Sequence, residues 1–268
     1  MLTVMLIVLA VALLYIFSTA CRKGHPALNT LQGWSYAHRG LHSEDCPENS
    51  MAAFRKALES GYGIELDIHL LRDGNLAVIH DSSLKRTAGA DIRIEDLCTE
   101  DLKHYKLGHT EETIPEFQQV LDLFSGKAPL IVELKSAGNN YAALTEAACD
   151  MLSSYTGPYC LESFDPRCIA WLRKHRPELI RGQLAENFFR SKGPLPLVLK
   201  GIMTFQIANF LTLPDFVAYK FSDRKNLGNL LARKLWKAQG VSWTLKTQEE
   251  YETAVKEGWL PIFENFQP

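Results

Sequence analysis

The run YGIELDIHLLRDG, residues 62–74, decides how the chain must be read. Ile64, Leu66, Ile68 and Leu70 alternate with Glu65, Asp67 and His69. A β-strand sends successive side chains to opposite faces, so the two acids share one face and the aliphatic residues the other. On a half-exposed antiparallel strand this pattern is a solvated edge. On a strand covered on both faces, neighbouring carboxylates repel and call for a cation between them. Hard oxygen donors suit Mg²⁺ or Ca²⁺ rather than Zn²⁺.

The flanking sequence favours the covered strand. Short aliphatic runs at 34–38, 76–80, 130–134, 159–163, 180–184, 216–219, 241–245 and 260–263 alternate with helical patterns. The helical patterns fall at 49–60, 117–124, 141–153, 167–175, 227–239 and 248–257. Repeated strand–helix alternation predicts a parallel sheet with helices outside. About eight such units after Cys21 predict closure into a (β/α)₈ TIM barrel over 34–268, of the usual size of about 250 residues. Residues 84–114 are polar and weakly periodic, and read as an insertion above the barrel. The apolar stretch 194–213, interrupted by Lys200 and Gln206, reads as a core helix of the barrel wall or as a membrane-facing helix.

The chain has 268 residues, 46% hydrophobic and 22% charged, with 29 Lys+Arg against 31 Asp+Glu. That balance leaves no positive field for nucleic acid. A mean hydropathy of −0.11 excludes a polytopic membrane protein. Residues 1–21 carry no charge, and their 20-residue apolar run predicts one N-terminal transmembrane helix, a single-pass anchor in the cell membrane. A cleaved signal or a degraded lipobox ending at Cys21 are the alternatives; neither has its usual basic start. Arg22 and Lys23 follow the segment, so the positive-inside rule places the barrel on the cytoplasmic side. Residues 22–33 read as a tether. Six cysteines show no metal-ligand spacing.

Other segments supply partners for the two acids. The run at 130–134 carries Glu133, with Lys135 just beyond it. Alone, Glu133 is a weak signal, and that pair reads better as a rim salt bridge. His38 ends one strand-like run in YAHRG, and His80 ends another in LAVIHD. Barrels carry catalysis at the C-terminal ends of their strands. A lone His is more often structural, but two at strand ends, one beside Arg39 and one beside Asp81, suit acid–base work. Arg39 offers a forked donor for phosphate oxygens. His69 continues the face of Glu65 and Asp67 and is a minor candidate for the pocket wall.

HRG at 38–40, PENS at 47–50, ELDIHLLRDG at 65–74, VIHD at 78–81 and VELK at 132–135 resemble, in order, the motifs of the glycerophosphodiester phosphodiesterase family. LKRTAG at 84–89, IPEFQQVLDL at 114–123, SFDPRCIAWLR at 163–173 and SWT at 242–244 extend the likeness. The resemblance implies a (β/α)₈ barrel with a small segment inserted after its second strand. It implies one divalent cation, Mg²⁺ or Ca²⁺, on Glu65, Asp67 and Glu133, and an acid–base pair of His38 and His80. Arg39 and Lys135 fall where the family contacts phosphate, with Glu48 and Asn49 beside the metal as further substrate-binding candidates.

The implied activity is metal-dependent hydrolysis of glycerophosphodiesters to glycerol phosphate and an alcohol, on a small phosphodiester or a lysolipid. Lysophospholipase D or phospholipase C-like action on membrane lipid is the first alternative. A non-catalytic, tethered phosphate-ligand binding protein is the second. One departure stands out. The family closes on a strand resembling GVDGIITDxP, whereas this chain has GWLPIFENFQP, with Asn265 or, after a shift, Glu264 in place of the Asp.

Overall fold

The computed structural model describes residues 1–191 and 195–268. Its elements are α1 (Leu2–Ser18), β1 (Tyr36–His38), α2 (Met51–Glu59), β2 (Gly63–Leu70), β3 (Leu76–Val78), α3 (Lys85–Ala88), α4 (Phe117–Phe124), β4 (Leu130–Leu134), α5 (Tyr141–Leu152), β5 (Tyr159–Ser163), α6 (Pro166–His175), β6 (Arg181–Ala185), α7 (Leu197–Thr204), α8 (Asn209–Thr212), β7 (Phe216–Lys220), α9 (Leu227–Leu230), β8 (Gln239–Leu245), α10 (Gln248–Lys256) and β9 (Trp259–Phe263). Eight strands run parallel in the order β1-β2-β4-β5-β6-β7-β8-β9, and β1 pairs with both β2 and β9 to close the barrel. The closing register is Tyr36↔Ile262 and Ala37↔Phe263, so the divergent final strand still completes the ring. β3 lies outside it, antiparallel to β2.

Local chemistry starts the outer helices where the pattern predicts. Ser50 caps α2, its hydroxyl accepting from the Ala53 N–H at 3.1 Å. Asp165 caps α6 with Pro166 in the first turn, and Thr247 caps α10. Gly40 sits at φ +81°, and a Cβ there would stand 2.9 Å from the Ala53 backbone, so the turn after β1 lies directly on α2.

Burial divides into three clusters. Ile64, Leu66 and Ile68 of β2 face outward and pack with Val120, Leu121 and Leu144 between barrel and helices. Tyr36, Ile131, Phe216, Val241 and Leu260 fill the barrel interior. Leu31, in the segment before β1, joins this core: it is fully buried, and its carbonyl accepts from the Tyr36 hydroxyl at 2.6 Å. The insertion after β2 holds its own cluster of Leu84, Ile94, Leu97, Leu102, Leu107 and Ile114.

The N-terminal segment requires a correction. Its helix has 17 residues, about 25 Å at 1.5 Å per residue, against a hydrocarbon core of about 30 Å. It ends at Ser18, where the Ser18 and Thr19 hydroxyls bond back to the carbonyls of Tyr15 and Ile16. Thr19, Ala20 and Cys21 are then buried against the barrel rather than added to the span. Among the described residues, no helix is long and apolar enough to cross a membrane. The transmembrane anchor at 1–21 and the single-pass placement in the cell membrane are therefore not supported, and the side read from Arg22 and Lys23 loses its basis. The stretch 194–213 also differs from expectation. Pro194 lies outside the described residues, and only Thr204 of α7 is buried, so α7 is not a core helix.

Candidate active site

The site is built at the C-terminal ends of the strands. In β2 the period of two is obeyed: the aliphatic residues pack outward and Glu65 and Asp67 point inward, both buried. Parallel register sets Asp67 beside Glu133 on β4, and His38 on β1 beside Glu65. One oxygen from each of Glu65, Asp67 and Glu133 lies within 4.8 Å of the other two.

Two cations meet these acids from the strand ends. Lys135 Nζ is 3.1 Å from Glu133 Oε1 and 3.5 Å from Asp67 Oδ1. Arg39 Nε is 3.3 Å from Asp67 Oδ2, and its backbone N–H donates to Glu65 Oε2 at 3.2 Å. Arg39 and Asn49 both take left-handed φ values of +55°, the turn geometry that aims them back at β2. Asn49 Nδ2 donates to Asp67 Oδ2 at 2.9 Å. Glu48 accepts from Arg39 at 2.9 Å and from Arg86 of α3 at 2.7 Å, which holds the guanidinium in place.

Each histidine is braced by a carboxylate on Nδ1. His38 Nδ1 lies 3.3 Å from Glu264 Oε1, and its Nε2 is 3.8 Å from Glu65 Oε2. His80 Nδ1 lies 2.6 Å from Asp81 Oδ1, and Asp81 accepts from Arg86 Nε at 2.5 Å. A carboxylate on Nδ1 fixes the proton there and leaves Nε2 as the acceptor. His69 is not in the pocket. Its Nδ1 is 2.9 Å from Glu95 Oε1 and its Nε2 donates to the His80 carbonyl at 3.1 Å, so it ties the insertion to the barrel.

Electrostatics follow burial. Burial, then Asp67 and Glu133, push the Glu65 carboxyl well above its ordinary value. Burial pushes Glu133 up to about 7 despite Lys135. Burial also acts on Asp67, but Lys135, His80 and Arg39 outweigh it and hold that carboxyl low. Burial lowers both His38 and His80, so each imidazole is neutral near pH 7. Three buried carboxylates, two of them reluctant to ionise, are a donor set that a hard divalent cation fits.

The space above them is a cavity of about 50 Å³, bounded by His38, Arg39, Glu65, His80 and Glu133 on one side. Phe164, Leu184, Trp243 and Ile262 form the other wall. Two further carboxylates stand close to these groups. Glu162 on β5, in register with Glu133, is 1% exposed, and its Oε2 has no hydrogen-bond partner. The alternation of Cys160 and Glu162 in YCLES was the available signal, but a single acid is a weak one. Glu264 follows the closing strand, 226 positions from His38, and only barrel closure brings the two together.

Fold and site together define a (β/α)₈ barrel with a buried acid cluster and two braced histidines at its C-terminal rim. The chain belongs to the glycerophosphoryl diester phosphodiesterase family, whose model matches residues 38–266. It is 38% identical over 129 residues to a glycerophosphodiester phosphodiesterase of Bacillus altitudinis, covering 45% of this chain and 52% of that one. It is 30% identical over 132 residues to a lysophospholipase D of Rattus norvegicus, covering 44% and 40%. The chain thus spans about half the length of these curated relatives. Among solved structures it is similar to an Oleispira antarctica phosphodiesterase in complex with the product sn-glycerol-3-phosphate. The TM-score is 0.70 at 20% identity, over 86% of this chain and 92% of that one.

Proposed function

We propose that this chain hydrolyses glycerophosphodiesters to glycerol phosphate and an alcohol, using one divalent cation, Mg²⁺ or Ca²⁺. The observation that carries the reading is the pairing of two carboxylate-braced histidines, His38 and His80, with the cluster of Glu65, Asp67 and Glu133. Glu65, Asp67 and Glu133 would hold the cation, which would supply Lewis-acid stabilisation of charge on the phosphoryl oxygens. Arg39 and Lys135 share that load by donating to the same phosphate. One neutral histidine takes a proton at Nε2 from the attacking hydroxyl or water; the other acts in its doubly protonated form, its Nδ1 carboxylate stabilising the imidazolium, and gives its Nε2 proton to the departing alkoxide. Glu48 and Asn49 orient Arg39 and Asp67 through their hydrogen bonds. The apolar wall of Phe164 and Trp243 keeps water off the opposite side.

A second reading, lysophospholipase D action, is supported by the likeness to the Rattus norvegicus enzyme. Parallel incubations with glycerophosphocholine and lysophosphatidylcholine separate the two. Release of glycerol phosphate from the first substrate, much faster than lysophosphatidate from the second, is expected. The reverse preference transfers the assignment to the lipid. Turnover of neither substrate overturns both.

A further inference from the structure

We propose that His38, His42 and Glu264 form a second metal site, selective for Zn²⁺ and related borderline divalent ions, and that filling it switches the enzyme off. Glu264 Oε1 lies 3.3 Å from His38 Nδ1 and 3.3 Å from His42 Nε2. One atom from each of the three falls within 4.8 Å of the others. Tetrahedral zinc with bonds of 2.0–2.1 Å places its ligand atoms roughly 3.3 Å apart, so both measured edges already fit. His42 Nε2 is buried and makes no hydrogen bond of acceptable geometry, although it faces the carboxylate. The other carboxylate oxygen, Oε2, is held by Lys246 Nζ at 3.0 Å, which turns Oε1 toward the two imidazoles. His42 and Glu264 also line a surface cavity of about 370 Å³, which gives an ion a way in and room for a fourth, water ligand.

Two imidazoles and one carboxylate favour zinc over Mg²⁺ or Ca²⁺, whereas the three acids of the main cluster favour the reverse. The two sites therefore sort ions by chemistry although His38 stands beside both. The inhibitory consequence rests on the acid–base role proposed for His38. A neutral imidazole bound to zinc through Nδ1 carries its single proton on Nε2, so it cannot accept another there. The ion also removes Glu264 from His38.

The test uses the full chain with Ca²⁺ saturating the acid cluster, comparing wild type with His42→Ala and Lys246→Ala. Zn²⁺ is titrated against glycerophosphocholine hydrolysis, and Co²⁺ is added separately as a spectroscopic probe of tetrahedral coordination. Wild type is expected to be inhibited by Zn²⁺ and to show the intense visible absorption of tetrahedral Co²⁺. His42→Ala should keep turnover, lose that absorption and weaken inhibition at least about tenfold, since loss even of an outer partner costs 10–100-fold in metal affinity. Lys246→Ala, which removes the bond that turns Oε1 of Glu264 toward the imidazoles, should weaken inhibition. Zinc titrations that coincide for wild type and His42→Ala, or a cobalt band that survives His42→Ala, overturn the proposal. Should His42→Ala fail to fold, an unchanged zinc affinity in Lys246→Ala does so. If no variant hydrolyses the substrate, the functional reading has failed while the cobalt spectra still decide the site.

Discussion

Removing the cation should make this protein lose stability as pH rises, and the acid cluster sets the size of the loss. Burial pushes the Glu133 carboxyl up to about 7, from an ordinary 4.5. The folded state keeps that proton until about pH 7 while the unfolded chain releases it near 4.5. The folded state binds more protons across that window, so its stability falls with rising pH there. Glu133 alone accounts for about 3 kcal/mol, fully lost by pH 8. Glu65 and Glu162, also raised by burial and by neighbouring acids, add to the same sign. Asp67 and Glu264 are held low and stay ionised throughout, so they do not contribute to the slope. His38 and His80 are lowered, which opposes the trend only below about 6.5. A bound cation requires ionised carboxylates and displaces those protons, so the falling component should vanish in saturating Ca²⁺ or Mg²⁺, leaving the rise from the histidines below about 6.5. Urea unfolding at pH 5, 6.5 and 8, in chelator and in cation, measures the difference. Glu133→Gln should flatten the chelator curve. Parallel curves in chelator and cation, or a full slope in Glu133→Gln, would refute the reasoning.

Other expectations concern single side chains. His38→Ala and His80→Ala should each lower turnover by at least about 10², the lower range for a lost acid or base; wild-type rates in either variant would remove that histidine from the chemistry. Glu264→Gln should lower kcat with little change in KM and move the acid limb of the pH profile down, because the Glu264 bond opposes the burial that lowers His38. A loss confined to KM would contradict a positioning role. Asn49→Ala removes a 2.9 Å bond to the Asp67 carboxylate and leaves alanine at φ +55°. Unfolding free energy should drop by at least about 2 kcal/mol, and a denaturation midpoint matching wild type would sink that account.

The sequence carried the barrel and most of the site because both rest on periodicity. Alternation in residues 64–69 put Glu65 and Asp67 on one face, and strand-end positions put His38 and His80 on the rim. Parallel register did the rest, setting Glu133 beside Asp67. What escaped depends on closure in three dimensions. Glu264 and His42 acquire meaning only when β9 returns to β1. His69 shares the parity of Glu65 and Asp67, but the insertion supplies Glu95 as its partner and takes it out of the pocket. At the N-terminus, counting apolar residues overstated the helix, which ends at Ser18 while Thr19, Ala20 and Cys21 are buried beyond it. In 194–213 hydrophobicity gave no direction, and α7 leaves Leu197 and Val198 exposed.

The central claim is that Glu65, Asp67 and Glu133 hold the ion that hydrolysis needs. Phosphorus NMR of glycerophosphocholine tests it most directly, with the protein followed in Ca²⁺ or Mg²⁺, then in excess chelator, then after cation is restored, beside Glu65→Ala. The account predicts glycerol phosphate in the first state, none in the second, recovery in the third, and no cation-dependent product from Glu65→Ala. Undiminished hydrolysis in chelator, or a fully active Glu65→Ala, would contradict it.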